Sequence, residues 1–328
     1  MKVLFVRFSA TGDIVLSTGV IDYFHRKFPE AEIDVLTSPG GKAIFASLGS
    51  IHQIFTLPAK SSIIQMIKLY RTIPDYDYVF DLQGNLKSFS LAAFVKGRFT
   101  HIKKQSRERR AFVKNRKYKS ELTKHVVEKY AEVCLSPFNI EIPELEKLRP
   151  RFPDFEGLDV SGLSFPNFIV LHPYASQKNK EWPGFFELAN TLIFNGINVV
   201  IVGNGDKPWP KEVINFSNQT SLEELMSIIK KATAVVTTDS GPMHISIGFK
   251  KPTLAIFGPT TKEFGFYPSF ERCAVVEDEE LDCRPCHVHG GNSCPQGHFH
   301  CMKAITSQQV FRRLHDLIKE SKARKVNP

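Results

Sequence analysis

No stretch of this sequence approaches the roughly 18 successive apolar residues that a membrane-spanning helix needs. Its first residues, MKVLFVRFSATGD, offer only a short apolar run before Arg7, less than the roughly 7–15 residues of a secretion signal. That run is expected to be a first strand, and the protein is expected to be cytoplasmic. A Gly-x-Gly-x-x-Gly fingerprint is missing too. GNGDKP, residues 203–208, does not fit it, which argues against a dinucleotide-dependent oxidoreductase. Nor is there a recognisable DNA- or RNA-binding motif, an internal repeat or a low-complexity segment, so no nucleic-acid partner is expected. Cysteine is scarce, six in all, yet four of the six fall between positions 283 and 301.

What is present is an ordinary globular composition, spread over 328 residues. At roughly 100–200 residues per domain, that length implies two domains. The net charge of +9 gathers largely in HIKKQSRERRAFVKNRKYK, residues 101–119. Such a run either attracts anionic partners or is simply a solvated face.

Apolar runs of strand length alternate with segments of helical spacing. KVLFVRF, EIDVLTS, IHQIFTLP and YDYVFDLQGN read as strands, with helices such as GDIVLSTGVIDYFHRKFP between them. From about 141 to 165, proline and charge interrupt the pattern. It resumes with strands NFIVLHPYA, INVVIVGNG, TAVVTTD and KPTLAIFGPT, and Ser221 with Glu224 makes a capping-box pattern before one of the helices. The expected fold class is therefore α/β. Two doubly wound domains, 1–150 and 166–328, are joined by a linker at 151–165, with ligands bound at the carboxyl ends of the strands. The segment SQQVFRRLHDLIKESK closes the second domain as an amphipathic helix.

Polar residues concentrate at those strand ends. TTDSGPMHIS ends a strand in Thr238 and Asp239, then turns through Ser240, Gly241 and Pro242 into a helix whose first turn holds His244. Proline is tolerated at a helix start, glycine lets a ligand approach the backbone, and the free N–H groups suit an anion. A well-capped helix with a satisfied histidine explains the same residues. Ser176 and Lys180 follow the first strand of the second domain and supply a hydroxyl and an ammonium suited to a diphosphate. Asp206, at the end of another strand, is placed to accept a hydrogen bond from a ribose. In the first domain, Gly12 and Asp13 open the helix after strand one. Asp13 is there either an N-cap or an acid facing the crevice. Arg7 either contacts an anion or pairs with Asp13.

DCRPCHVHGGNSCPQGHFHC sets Cys283, Cys286, Cys294 and Cys301 among four histidines. The spacing is compatible with a structural zinc or an iron site. Its second half lacks a Cys-x-x-Cys, however, and disulfides or free thiols stay open. Catalysis by these cysteines is not expected.

Taken in order, VRFSATGDIVLSTG, YVFDLQGNLKS, TKHVVEKY, LHPYASQKNKEWP and TTDSGPMHIS with KPTLAIFGPT resemble the motifs of the glycosyltransferase family 9 heptosyltransferases. The resemblance spans most of the chain. It implies a GT-B fold, two Rossmann-like domains facing across a cleft, with the acceptor bound by the first and the nucleotide-sugar by the second. It implies an inverting transfer of heptose from ADP-heptose to the lipopolysaccharide inner core, with no metal needed for catalysis. Asp13 is then the general base, and Lys180 steadies the departing ADP. Ser176, Asp206, Thr238, Asp239, Ser240, Gly241 and His244 surround the donor, while Arg7 and Gly12 lie on the acceptor side. The implied partners are ADP-heptose, a lipid-anchored anionic oligosaccharide and the inner face of the inner membrane, to which the basic 101–119 segment is drawn peripherally. Related members carry a similar Cys-x-Pro-Cys run, and some that modify proteins hold iron with it. Tyr174 stands where the family's turn usually has glycine. Another nucleotide-sugar, a protein acceptor, or binding without catalysis are the alternatives.

Overall fold

The computed structural model describes residues 1–116, 122–163 and 165–326. The chain forms two α/β units, one of residues 1–105 with 124–156 and the other of 106–123 with 157–328. The boundary at 156/157 falls inside the expected linker. Residues 151–156 pack with the first unit, where Asp154 accepts from Gly49 N at 2.6 Å. Leu158 N instead donates to Ser227 Oγ at 2.7 Å in the second. Among the described residues no helix is long and apolar enough to cross a membrane.

The first unit holds β1 (Lys2–Arg7), α1 (Thr11–Lys27), β2 (Glu32–Thr37), α2 (Lys42–Ala46), β3 (Ile51–Thr56), α3 (Ile63–Tyr70), β4 (Tyr78–Asp81), α4 (Leu86–Phe89), β5 (Arg98–His101) and α6 (Val126–Leu135). Its sheet is parallel throughout, in the order β3-β2-β1-β4-β5. β1 is central and buried on both faces, hence its nearly unbroken apolar run. Alternation sends Leu4 and Val6 into a cluster with Phe55, Tyr70 and Val79, while Phe5 packs on Phe24 and Phe80 with centroids 5.5 and 5.0 Å away.

The second unit receives α5 (Ser106–Lys114) from the N-terminal half of the chain. It continues with β6 (Phe168–His172), α7 (Phe185–Phe194), β7 (Asn198–Ile201), β8 (Ile214–Asn215), α8 (Leu222–Lys231), β9 (Ala234–Thr238), α9 (Gly241–Gly248), β10 (Thr253–Ile256), β11 (Cys273–Val276), α10 (His300–Lys303) and α11 (Ser307–Val326). Its sheet is also parallel, ordered β11-β10-β9-β6-β7-β8. The Ser221–Glu224 capping box is formed, with Ser221 N to Glu224 Oε2 at 2.7 Å. Trp182, fully buried, anchors the core and donates its indole N–H to Ile305 O at 2.9 Å.

Strand order reverses between β1 and β4 in one sheet and between β6 and β9 in the other. Loops leaving neighbouring strands in opposite directions open a crevice there, the usual ligand position in such folds. Most of the polar strand ends singled out in the sequence lie on these loops, while Asp206 follows β7.

The basic run is divided. Arg109 is buried and its guanidinium lies 5.3 Å from the Phe266 ring centre, while Phe112 packs edge-on against Phe264 at 6.1 Å. Arg116 donates to the carbonyls of Cys283, Pro285 and Arg284. The segment expected in the first domain thus packs on the second unit as an arm, through Arg109, Phe112 and Arg116, while Lys103, Arg107, Arg110 and Lys114 stay exposed. Residues 117–119 of that run lie outside the described residues.

Candidate active site

In the first unit the switch point is built around Asp13. It is the third residue of α1 and not an N-cap; Ala10 is the N-cap, and the Asp13 carboxylate reaches back to Ala10 N at 3.3 Å. Its Oδ1 accepts from the Tyr130 hydroxyl at 2.6 Å, and its Oδ2 pairs with the Arg7 guanidinium at 2.8 Å. Arg7 also donates to Leu82 O and lies 5.5 Å over the Tyr130 ring. Of the two sequence readings of Arg7, the structure shows the ion pair. A carboxylate offers about four lone-pair sites. Three donors occupy Asp13, and its side chain keeps 18% exposure, which leaves an open edge for a further donor. Gly12, half-buried beside it, brings no side chain to that edge.

The facing loop, after β4, is held rigid. Asp81 accepts from the amides of Gln83 and Gly84 at 2.8 and 2.9 Å and from Ser88 Oγ at 2.7 Å, and lies 3.1 Å from His101 Nδ1. Gln83 Oε1 then accepts from Phe8 N and Ser9 N, tying the β4 loop to the β1 loop.

In the second unit, Lys180 Nζ pairs with Asp239 Oδ2 at 2.6 Å, joining the loops after β6 and β9. Thr260 Oγ1, at the end of the β10 run, donates to the same oxygen at 2.8 Å. Ser240 is the N-cap of α9, yet its hydroxyl makes no cap. It turns into the sheet, 3.1 Å from His172 Nδ1 and from Thr237 Oγ1. With Pro242 in the first turn and no side chain over the helix start, the Gly241 end of α9 presents backbone dipole beside the Lys180 ammonium. The corner thus joins a helix start to a Lys180 ammonium that Asp239 holds in place, donors suited to a diphosphate.

Not every predicted residue joins it. The Thr238 hydroxyl is fully buried and bonded to Tyr174 O, so its role is to fasten the β6 turn. His244 is 4% exposed, within the first turn of α9. Ser176 is exposed on the loop after β6, and Asp206, exposed after β7, accepts from Asn218 Nδ2 at 3.2 Å. Tyr174 is buried, its hydroxyl 2.8 Å from Ser217 Oγ, and its ring lies against Gly203 and Gly205. A Cβ at either position would collide with that ring, and both have positive φ, 111° and 158°, so these two glycines make room for the bulky turn residue.

The cysteine loop packs behind the corner. Arg284 pairs with Glu277 and donates to the carbonyls of Gly258 and Thr260, immobilising the Thr260 that holds Asp239. Asn179, next to Lys180, exchanges two hydrogen bonds with Gly291, at 3.0 and 2.8 Å. All six cysteines are free thiols. A four-sulfur zinc site has Zn–S bonds of about 2.3 Å, which bring its sulfurs within about 4 Å of one another. Among the described residues, the sole set of three or more ligand atoms within 4.8 Å of one another is Glu32, Asp34 and His52. No three of the sulfurs of Cys283, Cys286, Cys294 and Cys301 lie within 4.8 Å of one another. Burial raises the Cys301 thiol to about 11 and also raises Cys286.

A model of glycosyltransferase family 9 (heptosyltransferase) matches residues 66–292, more than half of the chain. The chain belongs to glycosyltransferase family 9. It is 24% identical to lipooligosaccharide heptosyltransferase 2 of Haemophilus influenzae, over 97% of this chain and 99% of that protein. The structure of Escherichia coli ADP-heptose lipopolysaccharide heptosyltransferase II superposes with a TM-score of 0.71 at 20% identity, covering 98% of this chain and 100% of that one. That of E. coli heptosyltransferase WaaC with ADP gives 0.71 at 17% identity, covering 97% and 100%. The fold is GT-B, with two Rossmann-like parallel sheets.

Thr260, Tyr130 and His172 of this family 9 chain escaped the sequence reading. Tyr130 lies in the TKHVVEKY motif, but nothing local signals that its hydroxyl reaches Asp13, 117 positions away. His172 ends β6 as an apparently apolar strand residue. Burial, with the Lys207 charge adding to it, lowers its pKa to about 4.

Tyr130 and His172 each yield an expectation. Tyr130→Phe removes a hydrogen bond to a charged group worth about 1.5 kcal/mol of stability, so the melting temperature should fall by a few degrees, and kcat of the transfer should fall as Asp13 loses a positioning partner. His172 is neutral when folded, while an unfolded histidine takes its proton near pH 6.5. Its contribution is therefore full above about pH 6.5 and is lost as pH falls toward 4, by up to about 3 kcal/mol. Urea unfolding followed by tryptophan fluorescence reads this unit alone, since both tryptophans, Trp182 and Trp209, lie in it. His172→Gln should flatten the pH dependence over that window.

Proposed function

We propose that this protein is an inverting heptosyltransferase that moves heptose from ADP-heptose to the lipopolysaccharide inner core. The observation that carries the reading is the corner where Lys180 and the uncapped start of α9 meet beside Asp239. There, fixed donors would neutralise charge that grows on a departing nucleoside diphosphate. An acceptor hydroxyl oxygen attacks the anomeric carbon as the bond from that carbon to the diphosphate oxygen breaks. Asp13 takes the hydroxyl proton, and ADP leaves held by Lys180. Asp13 sits at a helix start and pairs with Arg7, which holds its carboxylate in place. Late proton transfer is then the suitable mechanism, since the hydroxyl becomes acidic only as its bond to carbon forms. The Gly241 backbone completes the diphosphate corner, Ser176 and Asp206, exposed outside it, would meet other parts of the donor, and Gly12 lies on the acceptor side. No metal takes part in this scheme, and EDTA should leave the rate unchanged. Action at the inner face of the inner membrane follows from a lipid-anchored acceptor. The family membership and the full-length similarity to heptosyltransferases 2 support the same reading.

The test is a panel of nucleotide-sugars incubated with purified protein and a deep-rough core acceptor. ADP-heptose should be turned over in preference to ADP-glucose, UDP-glucose and GDP-mannose. Equal turnover of another donor, or transfer to a polypeptide in place of the core sugar, would replace this reading.

A further inference from the structure

The first unit carries two short helices whose apolar residues face outward. Ile63 and Ile64 open α3 with 71% and 78% exposure, and Leu86 and Phe89 lie one turn apart in α4 with 88% and 44%. Both helices begin with reciprocal caps, Ser62 with Gln65 and Asn85 with Ser88, so these side chains are held out on fixed backbone. The two starts adjoin. Lys87 Nζ donates to Ser61 Oγ at 3.2 Å and to Ala59 O at 3.1 Å, and Tyr70 OH donates to Lys87 O at 2.8 Å. Four large apolar side chains grouped on a surface mark an interaction site more often than chance exposure does.

The charge around them has one sign. Residues 35–74 contain no Asp or Glu and four cations, Lys42, Lys60, Lys68 and Arg71. Residues 82–107 again contain no acid, and six Lys or Arg. Lys60 is exposed on the loop that Lys87 grips, and the Lys104 stem abuts Gly84, two residues before Leu86. Apolar tips carried on stretches that contain cations and no acid complement an anionic bilayer surface: headgroups meet the lysines and the tips enter the acyl boundary. A protein partner of comparable fit would have to be acidic around an apolar pocket, and a second copy of this chain would bring its own lysines against these.

We infer that Ile63, Ile64, Leu86 and Phe89, rimmed by Lys60 and Lys104, form a docking surface for an anionic lipid bilayer. It deepens the proposed function by placing the membrane contact on the first unit; in the basic run at 106–116, Arg109 and Arg116 are engaged within the second. It lies on the loops after β3 and β4, at the same edge of the sheet as Asp13, so docking brings that edge to the headgroup layer.

The test is cosedimentation with vesicles of phosphatidylglycerol and phosphatidylethanolamine, against vesicles of phosphatidylcholine. The full chain should pellet with the former and largely stay in solution with the latter. Ile64→Asp with Leu86→Asp should lower partitioning about ten-fold or more and leave the melting temperature unchanged. Lys60→Gln with Lys104→Gln should weaken it and reduce its salt sensitivity. Variants that pellet as wild type would overturn the proposal. So would sedimentation velocity showing a dimer that Ile64→Asp dissociates. Turnover of a deacylated, water-soluble core acceptor should be untouched in the Ile64 and Leu86 variants. Failure of that turnover in the wild type would count against the proposed function and leave the vesicle result standing, so the two are separable.

Discussion

Asp13→Asn is expected to lower kcat by about 10²–10⁴-fold, the range a positioned general base contributes. The amide keeps the volume of the side chain; its oxygen can accept from Arg7 while its NH2 donates to the Tyr130 hydroxyl oxygen, so the start of α1 should survive. ADP affinity, measured by calorimetry, should stay within a few-fold, because Asp13 belongs to the first unit and the diphosphate corner to the second. A variant retaining more than a tenth of wild-type turnover would remove Asp13 from the chemistry and leave it as a partner for Arg7 alone.

Lys180→Ala should cost about 10²–10³ in kcat by withdrawing the cation from the leaving diphosphate. Here a stability effect travels with the kinetic one. Lys180 and Asp239 are only 11% and 12% exposed, and removing one member of a largely buried pair leaves an uncompensated charge, a loss of about 3–5 kcal/mol at most. Thr260 still donates to Asp239 and softens that loss. The double variant Lys180→Met with Asp239→Asn separates the two effects. Stability should return toward wild type while turnover remains low. Recovery of both together would mean that the ion pair only braces the loops.

The alternating pattern was enough to read two parallel α/β units and most of their long elements, because a doubly wound sheet buries β1, β6 and β9 on both faces and leaves continuous apolar runs. β5, β8 and β11 were not legible. They have four, two and four residues, lie at sheet edges, and β11 follows Arg272 in the left-handed region. Such short edge strands carry no period of their own. At the site, Asp13, Lys180, Asp239 and Gly241 could be singled out because each follows an apolar strand directly. Tyr130, Thr260 and His172 could not, since their partners come from distant segments. The placement of 106–116 went astray for a related reason: charge density says nothing about whether an arginine spends its donors on solvent or, like Arg116, on the carbonyls of a loop 167–169 residues further on.

That arm makes the chain cross between its two halves three times, near 105, 123 and 156. A polypeptide severed at the last crossing would carry the whole second sheet but neither Phe112 to cover Phe264 nor Arg116 to hold the carbonyls around Cys283. During synthesis, too, Phe112 and Arg116 emerge before the surface they must cover. The first half must therefore wait, partly undocked, for the last quarter of the sequence, and no single cut yields two intact pieces.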